Sequence, residues 1–306
     1  MNDLAEWSPT EYTRHGAVEI AYDRFERGGG TPLLLMTGLA LSRTWWPDGL
    51  CRAFANEGFD VVRYDQRDSG ESTRFGQATR RGRWAALLGT DHVPYTSEDV
   101  VDDAAAVLDA VGWERAVVFG HSLGGIVAQR FALRHPRRAL AVVSCDAPPS
   151  DAAGFRALRY LRLGLLARLA AQSFPDGHDG DVAASLAVAR KMASPVNPCD
   201  EEEARARIER GLGSGPRDVS GLGRQLHARW RGPRLRELDA PALVLHGEDD
   251  PLIRTSAARD TARAIRGARR TILSGVGHDL PTVAWKTLAE QTRQLVEGAD
   301  VGRVSA

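Results

Sequence analysis

The sequence contains little cysteine and little lysine. Its three cysteines are widely spaced, form no C-x-x-C pair and have no cluster of histidines beside them. This pattern argues against both a disulfide framework and a zinc site. Only two of the forty basic residues are lysines, Lys191 and Lys286, a bias that is typical of a GC-rich genome and indicates no function.

The chain also lacks net charge and long apolar runs. Forty acidic residues balance forty basic ones, so no net field would draw the protein to nucleic acid or to an anionic membrane. The most apolar stretch, 158–171, is interrupted by three arginines and does not predict a membrane span. Residues 1–10 have no apolar core, so no signal peptide is predicted. We therefore expect a cytoplasmic protein with neither nucleic acid nor membrane as partner.

What the sequence does have is the composition of a globular chain with a sizeable core: 43% of its residues are hydrophobic and 26% are charged. Short apolar segments alternate with helix-like segments, which predicts an α/β fold with a mostly parallel sheet. One of the helices is expected to begin with Ser97 as its N-cap. The predicted strands are a hairpin over 12–25, then 33–36, 61–64, 116–119, 140–144, 242–246 and 270–273; the predicted helices are 97–111, 123–134, 256–266 and 281–296.

The strand–helix alternation stops between residues 150 and 232. This stretch has helical periodicity and no convincing buried strand, so we expect a core formed by 1–149 and 233–306 and interrupted by a helical insertion. Its apolar residues recur at helical spacing, and they could line a cleft or pack the insertion onto the core; both interpretations stay open. These residues are Phe155, Leu158, Leu161, Leu165, Leu166, Leu169 and Phe174.

The motif G-x-S-x-G at Gly120–Gly124 follows a predicted strand and opens a predicted helix. In that context a tight turn presents the hydroxyl of Ser122 at the end of the sheet, where the free N–H groups of the helix can stabilise an anion. The simpler alternative is that Ser122 is an N-cap.

A serine nucleophile needs a base and a carboxylate that orients the base. Both follow later in the chain, each just after a predicted strand: Gly247–Pro251 contains Asp249 and Asp250, and Gly275–His278 ends on a histidine. The order Ser, Asp, His is the one that this strand–turn–helix arrangement uses. Asp146, after the strand at 140–144, is a further candidate for the acid.

Taken together, these motifs resemble those of the α/β-hydrolase family. The segment 63–72, R-Y-D-Q-R-D-S-G-E-S, is similar to a subgroup that contains anthracycline (aclacinomycin-type) methylesterases and actinobacterial lipase/esterase-like proteins. The resemblance covers about 12–296 and is weakest in the insertion. It implies Ser122 as nucleophile, Asp250 as orienting acid, His278 as base and the insertion as a cap over the site, and it implies neither cofactor nor metal.

One departure concerns the loop that follows the first predicted parallel strand, where many members have His-Gly and this chain has Thr37-Gly38. The oxyanion hole of the family uses backbone N–H groups, so the side chain at Thr37 does not decide the outcome. The resemblance implies Leu123 and Leu39 as the donors, with Ala40 as an alternative to Leu39.

Two tryptophans and one histidine near these motifs each allow more than one interpretation. Trp45 and Trp46 follow the oxyanion loop and are expected to bind substrate, although aromatic residues there are as often part of the core. His121, beside the serine, is expected to pack in the turn rather than to accept protons.

The function that these residues favour is a serine carboxylic-ester hydrolase acting on a neutral, apolar small-molecule ester. A methyl ester or macrocyclic ester of a natural product is a plausible target on resemblance alone. The same site could also cleave a lactone, thioester or carbon–carbon bond or carry out peracid chemistry, and the same scaffold could serve as a ligand receptor without catalysis.

Overall fold

The computed structural model describes residues 7–26, 28–76, 93–152, 155–213 and 219–304. Residues 1–6, which belong to the segment considered above for a signal peptide, lie outside this part. Within the described ranges, eight strands form one sheet. They are β1 (Glu11–His15), β2 (Val18–Phe25), β3 (Thr31–Met36), β4 (Phe59–Tyr64), β5 (Ala116–His121), β6 (Ala139–Cys145), β7 (Ala242–Gly247) and β8 (Arg269–Leu273).

The sheet is mostly parallel, as the alternation of strands and helices predicts. Its strand order is β1-β2-β4-β3-β5-β6-β7-β8. The hairpin of β1 and β2 pairs antiparallel with the rest, and every pair from β4 to β8 is parallel. Because parallel strands all end at the same edge, the loops after β3, β5, β6, β7 and β8 meet there.

Helices cover both faces of the sheet. They are α1 (Asp48–Asn56), α2 (Ser97–Ala110), α3 (Leu123–Arg134), α4 (Phe155–Leu158), α5 (Leu163–Ala170), α6 (His178–Met192), α7 (Glu201–Gly213), α8 (Val219–His227), α9 (Ser256–Ala264) and α10 (Thr282–Val304).

Neighbouring strand residues enter opposite cores because side chains alternate across a sheet. Val118 packs in one apolar cluster with Phe131 of α3, whereas Val117 packs in the other with Phe54 of α1. Since both faces are buried, β4, β5 and β7 are buried along their whole length. This explains the continuous apolar runs 116–119 in β5 and 242–245 in β7, whereas β4 also buries Asp60 and Arg63.

The N-cap of α2 differs from the prediction. Thr96, not Ser97, is the cap: its hydroxyl accepts the N–H of Asp99, and the Asp99 carboxylate accepts the Thr96 N–H at 2.7 Å. A reciprocal box requires an acceptor three residues after the cap, and three residues after Ser97 stands the apolar Val100. The Ser97 hydroxyl donates instead to the carbonyl of Ala228.

The insertion (residues 150–232) contributes α4 to α8. Within its described residues it adds no strand to the sheet. Its backbone contacts with the core include an isolated bridge, Leu161 with Ile253, and a hydrogen bond from the N–H of Ser97 to the carbonyl of Arg229 at 2.9 Å. A small apolar cluster of its own joins α6 and α7 through Val182, Leu186 and Ala204. Apart from that bridge, the regular structure in the described part of the insertion is helical.

The apolar residues of the insertion that recur at helical spacing, its apolar stripe, differ in how exposed their side chains are. Leu165 is 4% exposed and Leu158 is 42% exposed, while the side chains of Phe155 and Leu166 lie outside the described part. Part of the stripe thus packs internally.

None of the helices in the described ranges combines the length and the apolar character that a membrane crossing requires.

Candidate active site

The turn between β5 and α3 places Ser122 in a backbone conformation that L residues rarely adopt, with φ of 57° and ψ of −119°. Its N–H donates to the carbonyl of Cys145 at 2.9 Å. The turn has no room for side chains at its glycines. A Cβ on Gly120 would lie 1.9 Å from the carbonyl oxygen of Gly124, and one on Gly124 would lie 2.0 Å from that of Met36. The sequence pattern is thus explained by close backbone contacts.

The hydroxyl of Ser122 does not cap α3, although the residue occupies the N-cap position. Its Oγ lies instead 3.1 Å from Nε2 of His278. The N-cap interpretation therefore does not account for this serine.

His278 is held between the serine and a carboxylate. Its Nδ1 lies 2.7 Å from Oδ2 of Asp250, and the other carboxylate oxygen accepts the N–H groups of Leu252 and Ile253 at 2.7 Å each. A carboxylate only accepts, so Nδ1 carries the proton and the lone pair of Nε2 faces Ser122. The structure therefore brings together the three residues that the sequence analysis selected.

The pKa of His278 reflects two opposed effects. Burial alone would lower it, but the negative charge and hydrogen bond of Asp250 outweigh burial, so the pKa is raised above its ordinary value of 6.5. A raised pKa makes the imidazole a stronger proton acceptor. This is the direction that a general base for a serine hydroxyl requires.

The two other candidate acids have different partners. Asp249 accepts the hydroxyl of Ser194 at 2.6 Å. Asp146 accepts the N–H of Gly247 at 2.8 Å and lies 3.5 Å from Nε2 of His121. Among the described residues, neither is hydrogen-bonded to His278.

Asp146 is the centre of a second buried group behind the serine. Burial by itself would raise its pKa, yet the nearby imidazoles of His121 and His246 lower it overall. His121 is 2% exposed, and burial lowers its pKa. It packs in the turn, stacked on the ring of Trp45 at a centroid distance of 4.6 Å.

The predicted oxyanion donors are the backbone N–H groups of Leu39 and Leu123. Within the described part of the chain, the amides of Leu39 and Leu123 have no protein acceptor. The loop that carries Leu39 and the turn that carries Leu123 lie side by side, since a Cβ on Gly38 would be 3.4 Å from the Cβ of Ser122. The alternative donor Ala40 is occupied: its N–H donates to Oε1 of Gln225 at 2.8 Å. The geometry therefore favours Leu39 over Ala40.

The two tryptophans differ in position. Trp45 is half-buried and its ring lies flat against His121, next to the serine. Trp46 is 0% exposed and packs edge-on against Phe119 at 5.8 Å in the core. A fully covered side chain offers a ligand no surface, so the substrate-binding interpretation fails for Trp46. It remains a prediction for Trp45.

Contacts from the insertion to the site were not predicted from the sequence. The His278 N–H donates to the carbonyl of Met192 at 2.7 Å, and Nη1 of Arg207 donates to the carbonyl of Trp45 at 2.8 Å.

Another unpredicted residue, Asp279, follows the histidine directly, and burial raises the pKa of its carboxyl to about 6. Adjacency to His278 was the one sequence signal that could have identified Asp279.

Comparisons with known proteins agree with this arrangement. A family model described as the alpha/beta hydrolase fold matches residues 31–282. The chain belongs to the α/β-hydrolase family. It is 29% identical to the rhodomycin D methylesterase DauP of Streptomyces sp. (strain C5), over 92% of this chain and 96% of that protein. It is 28% identical, with the same coverage, to the rhodomycin D methylesterase DnrP of Streptomyces peucetius. The resemblance found in the sequence is confirmed.

Solved structures support the same fold. A meta-cleavage product hydrolase from Pseudomonas fluorescens superposes with a TM-score of 0.69 at 18% identity, covering 94% of this chain and 98% of that one. A thermophilic esterase from Thermogutta terrifontis gives a TM-score of 0.66 at 21% identity, with 95% and 99% covered. The predicted α/β-hydrolase fold is confirmed.

Proposed function

We propose that this α/β-hydrolase is a serine carboxylic-ester hydrolase in which Ser122, His278 and Asp250 form the catalytic triad. The observation that carries the proposal is the hydrogen-bonded series from Asp250 to His278 at 2.7 Å and on to the Ser122 hydroxyl at 3.1 Å. The names of the relatives, which include two methylesterases, support ester cleavage.

In the first half of the reaction, the Ser122 oxygen attacks the ester carbonyl carbon while His278 Nε2 accepts the hydroxyl proton. Asp250 holds the imidazole in the tautomer that this transfer needs and stabilises the imidazolium that results. The negative charge that develops on the carbonyl oxygen is stabilised by the N–H groups of Leu39 and Leu123. The imidazolium then protonates the departing alkoxide, which leaves as the alcohol.

In the second half, water attacks the acyl-enzyme. His278 accepts a proton from the water, and the same two N–H groups stabilise the second tetrahedral intermediate. Collapse of this intermediate breaks the bond to the Ser122 oxygen, which recovers its proton from His278. The products are a carboxylic acid and an alcohol, and every proton is returned.

We further propose that residues 150–232 form a cap over a core of 1–149 and 233–306. The support for this proposal is that the insertion contacts two loops of the site. Met192 is hydrogen-bonded to His278 in the loop that carries the base, and Gln225 is hydrogen-bonded to Ala40 in the oxyanion loop. A cap that reaches both loops encloses the space above Ser122 and shapes the pocket.

For the substrate we propose a neutral ester with an apolar acyl or alcohol group. The half-buried side chains of Leu39, Trp45 and Leu123 beside the serine support it. A methyl ester on a larger molecule is a second candidate, and the observation that favours it is that DauP and DnrP, both named rhodomycin D methylesterases, align with 92% of the chain. The cytoplasmic location stays a prediction.

The deciding experiment combines turnover with covalent labelling. The wild-type protein should hydrolyse p-nitrophenyl butyrate and should be labelled by a fluorophosphonate at Ser122. Ser122→Ala should lose both, with activity reduced at least about 10³-fold and the thermal midpoint preserved, because only a hydroxyl is removed. Residual turnover within tenfold of the wild type would identify another nucleophile. A protein that is folded but neither turns over esters nor is labelled would instead be a ligand receptor.

A further inference from the structure

A buried glutamine of the insertion joins α8 to the oxyanion loop. Gln225 is 6% exposed, and its Oε1 accepts the N–H of Ala40 at 2.8 Å. Its Nε2 donates to the carbonyl of Arg67 at 2.8 Å and to the hydroxyl of Ser69 at 2.9 Å. The side chain thus bridges the oxyanion loop and the 67–69 turn of the core.

This network fixes which way the amide of Gln225 points. The Ala40 N–H can only donate and the Arg67 carbonyl can only accept. Exchanging the amide oxygen and nitrogen would therefore place a donor against a donor at Ala40 and an acceptor against an acceptor at Arg67. All three contacts are therefore satisfied in one orientation. A buried and fully satisfied amide is a rigid connection.

The loop that it holds has an uncommon backbone conformation. Ala40 has φ of 55°, a value that costs a residue other than glycine on the order of 1 kcal/mol or more. The preceding part of the loop is held from the core, where Nε2 of Gln66 donates to the carbonyl of Thr37 at 2.6 Å. The Leu39 N–H therefore lies in a segment held from the core at one end and from the insertion at the other.

We propose that Gln225 is a positioning residue that sets the direction of the Leu39 N–H through Ala40. Gln225 touches neither Ser122 nor the substrate carbonyl in this scheme. It acts by holding Ala40 in its positive-φ conformation, so that the preceding amide faces the oxygen that becomes negative. The proposal rests on the proposed function only in its effect on rate, since the hold on the loop is a property of the folded protein.

The contribution of such a residue is specific to the transition state. Hydrogen bonds to the developing oxyanion matter far more than those to the ground-state carbonyl, and loss of one donor lowers kcat by about 10²–10³-fold. Loosening the donor should have a smaller effect. We expect a loss of about 10–100-fold in kcat with little change in KM.

The test uses Gln225→Met, which keeps the length of the side chain and removes all three hydrogen bonds. A matched control is Gln129→Met. Gln129 is 0% exposed and also accepts one N–H, that of Ser150, while donating to the Ser144 hydroxyl and the Pro148 carbonyl. The control removes the same kinds of contact away from the oxyanion loop. Should Gln225→Met not fold, Gln225→Asn serves instead, because the shorter amide cannot span Ala40 and the 67–69 turn together.

Three readouts are measured on each folded variant. Gln225→Met should lower kcat at least about tenfold with KM within threefold, and should weaken inhibition by a trifluoromethyl ketone by the same factor as kcat/KM. Amide hydrogen exchange at Ala40 should accelerate at least about tenfold, since its protecting hydrogen bond is lost. Gln129→Met should leave all three within threefold.

Several results would overturn the proposal: unchanged exchange at Ala40, a change in KM alone, or an equal loss of kcat in the control. The first would mean that Gln225 does not hold the loop, the second that it shapes the substrate pocket, and the third that any buried glutamine has this effect. If the wild type cleaves no ester, the proposed function fails while the exchange measurement still decides whether Gln225 holds the loop.

Discussion

Asp146 and Asp250, two fully buried carboxylates, lie on opposite sides of one imidazole ring. Nδ1 of His246 is 3.8 Å from Oδ1 of Asp146, and its Nε2 is 3.5 Å from Oδ2 of Asp250. The two acids follow neighbouring strands, β6 and β7, so both were reasonable candidates for the carboxylate of a triad. Their hydrogen bonds separate them, because Asp250 contacts His278 and Asp146 contacts the N–H of Gly247.

Exchanging each carboxylate for an amide should separate the two roles. Asp250→Asn should lower kcat by about 10³–10⁴-fold, because an amide at this position favours the wrong tautomer of His278. Asp146→Asn keeps an oxygen that can accept the Gly247 N–H, and it should lower kcat by less than about tenfold. Steady-state kinetics on one p-nitrophenyl ester checks both. An equal loss in the two variants would assign the orienting role to both carboxylates, and a larger loss in Asp146→Asn would assign it to Asp146.

The sequence predicts the features of this fold that depend on local patterns. The segment 61–64 is recognisable as a buried strand because both of its faces are covered, and the turn at Ser122 is recognisable because close backbone contacts require its glycines. The helix α1 was not predicted, because it is only nine residues long and contains Gly49, although its four buried residues recur at helical spacing.

Contacts between distant parts of the chain could not be predicted in this way. Ala40 and Gln225 are 185 residues apart, and neither belongs to a motif. Trp45 and Trp46 are adjacent and chemically identical, yet one lies against His121 and the other in the core. Which of two neighbouring side chains enters a core depends on the direction of the backbone, and composition does not contain that information.

The glycines of the turn give a prediction about stability. Gly124→Ala places a methyl group 2.0 Å from the carbonyl oxygen of Met36 and 2.5 Å from that of Thr37. Both contacts are with backbone that cannot rotate away, so we expect a loss of about 3 kcal/mol or more in the free energy of unfolding. Urea denaturation followed by tryptophan fluorescence measures it.

Gly164→Ala is the matched control for this prediction. Gly164 lies in α5 and a Cβ there would meet nothing within 4 Å. Alanine loses less backbone entropy than glycine in a helix, so this variant should be as stable as the wild type or more stable by up to about 1 kcal/mol. Equal destabilisation of the two variants would contradict the close-contact explanation of the motif.

The proposed pocket predicts a preference for apolar acyl chains without charge. Each methylene buried adds about 0.8 kcal/mol, so p-nitrophenyl hexanoate should exceed p-nitrophenyl acetate in kcat/KM by at least about tenfold. A p-nitrophenyl succinate hemiester should be a poor substrate, because an apolar pocket disfavours its carboxylate and the charge of Asp279, ionised above pH 7 near His278, repels it. Equal kcat/KM for the three esters would contradict the apolar pocket.

The charge of Asp279 also predicts how activity depends on pH. In the proposed mechanism His278 must be neutral to accept the serine proton, so kcat/KM should fall as pH decreases through its pKa. That pKa is raised mainly by Asp250 and further by Asp146 and Asp279, which stabilise the imidazolium, and the midpoint of the acid limb should therefore lie above 6.5. Asp279→Asn removes one of these negative charges. The pKa of His278 then decreases, and activity should persist to lower pH.

The measurement is the profile of kcat/KM from pH 5 to pH 9 for the wild type and Asp279→Asn. We expect the midpoint of the acid limb to move down by about half a unit, which corresponds to a partly screened charge a few ångströms away. Glu248→Gln is the control: this exposed carboxylate accepts the hydroxyl of Ser274, and its removal should move the midpoint by less than about 0.2 units, because solvent screens it. A midpoint that stays in place or rises in Asp279→Asn would show that this carboxylate does not stabilise the imidazolium. The acid limb would then have to be explained by Asp250 and Asp146 alone.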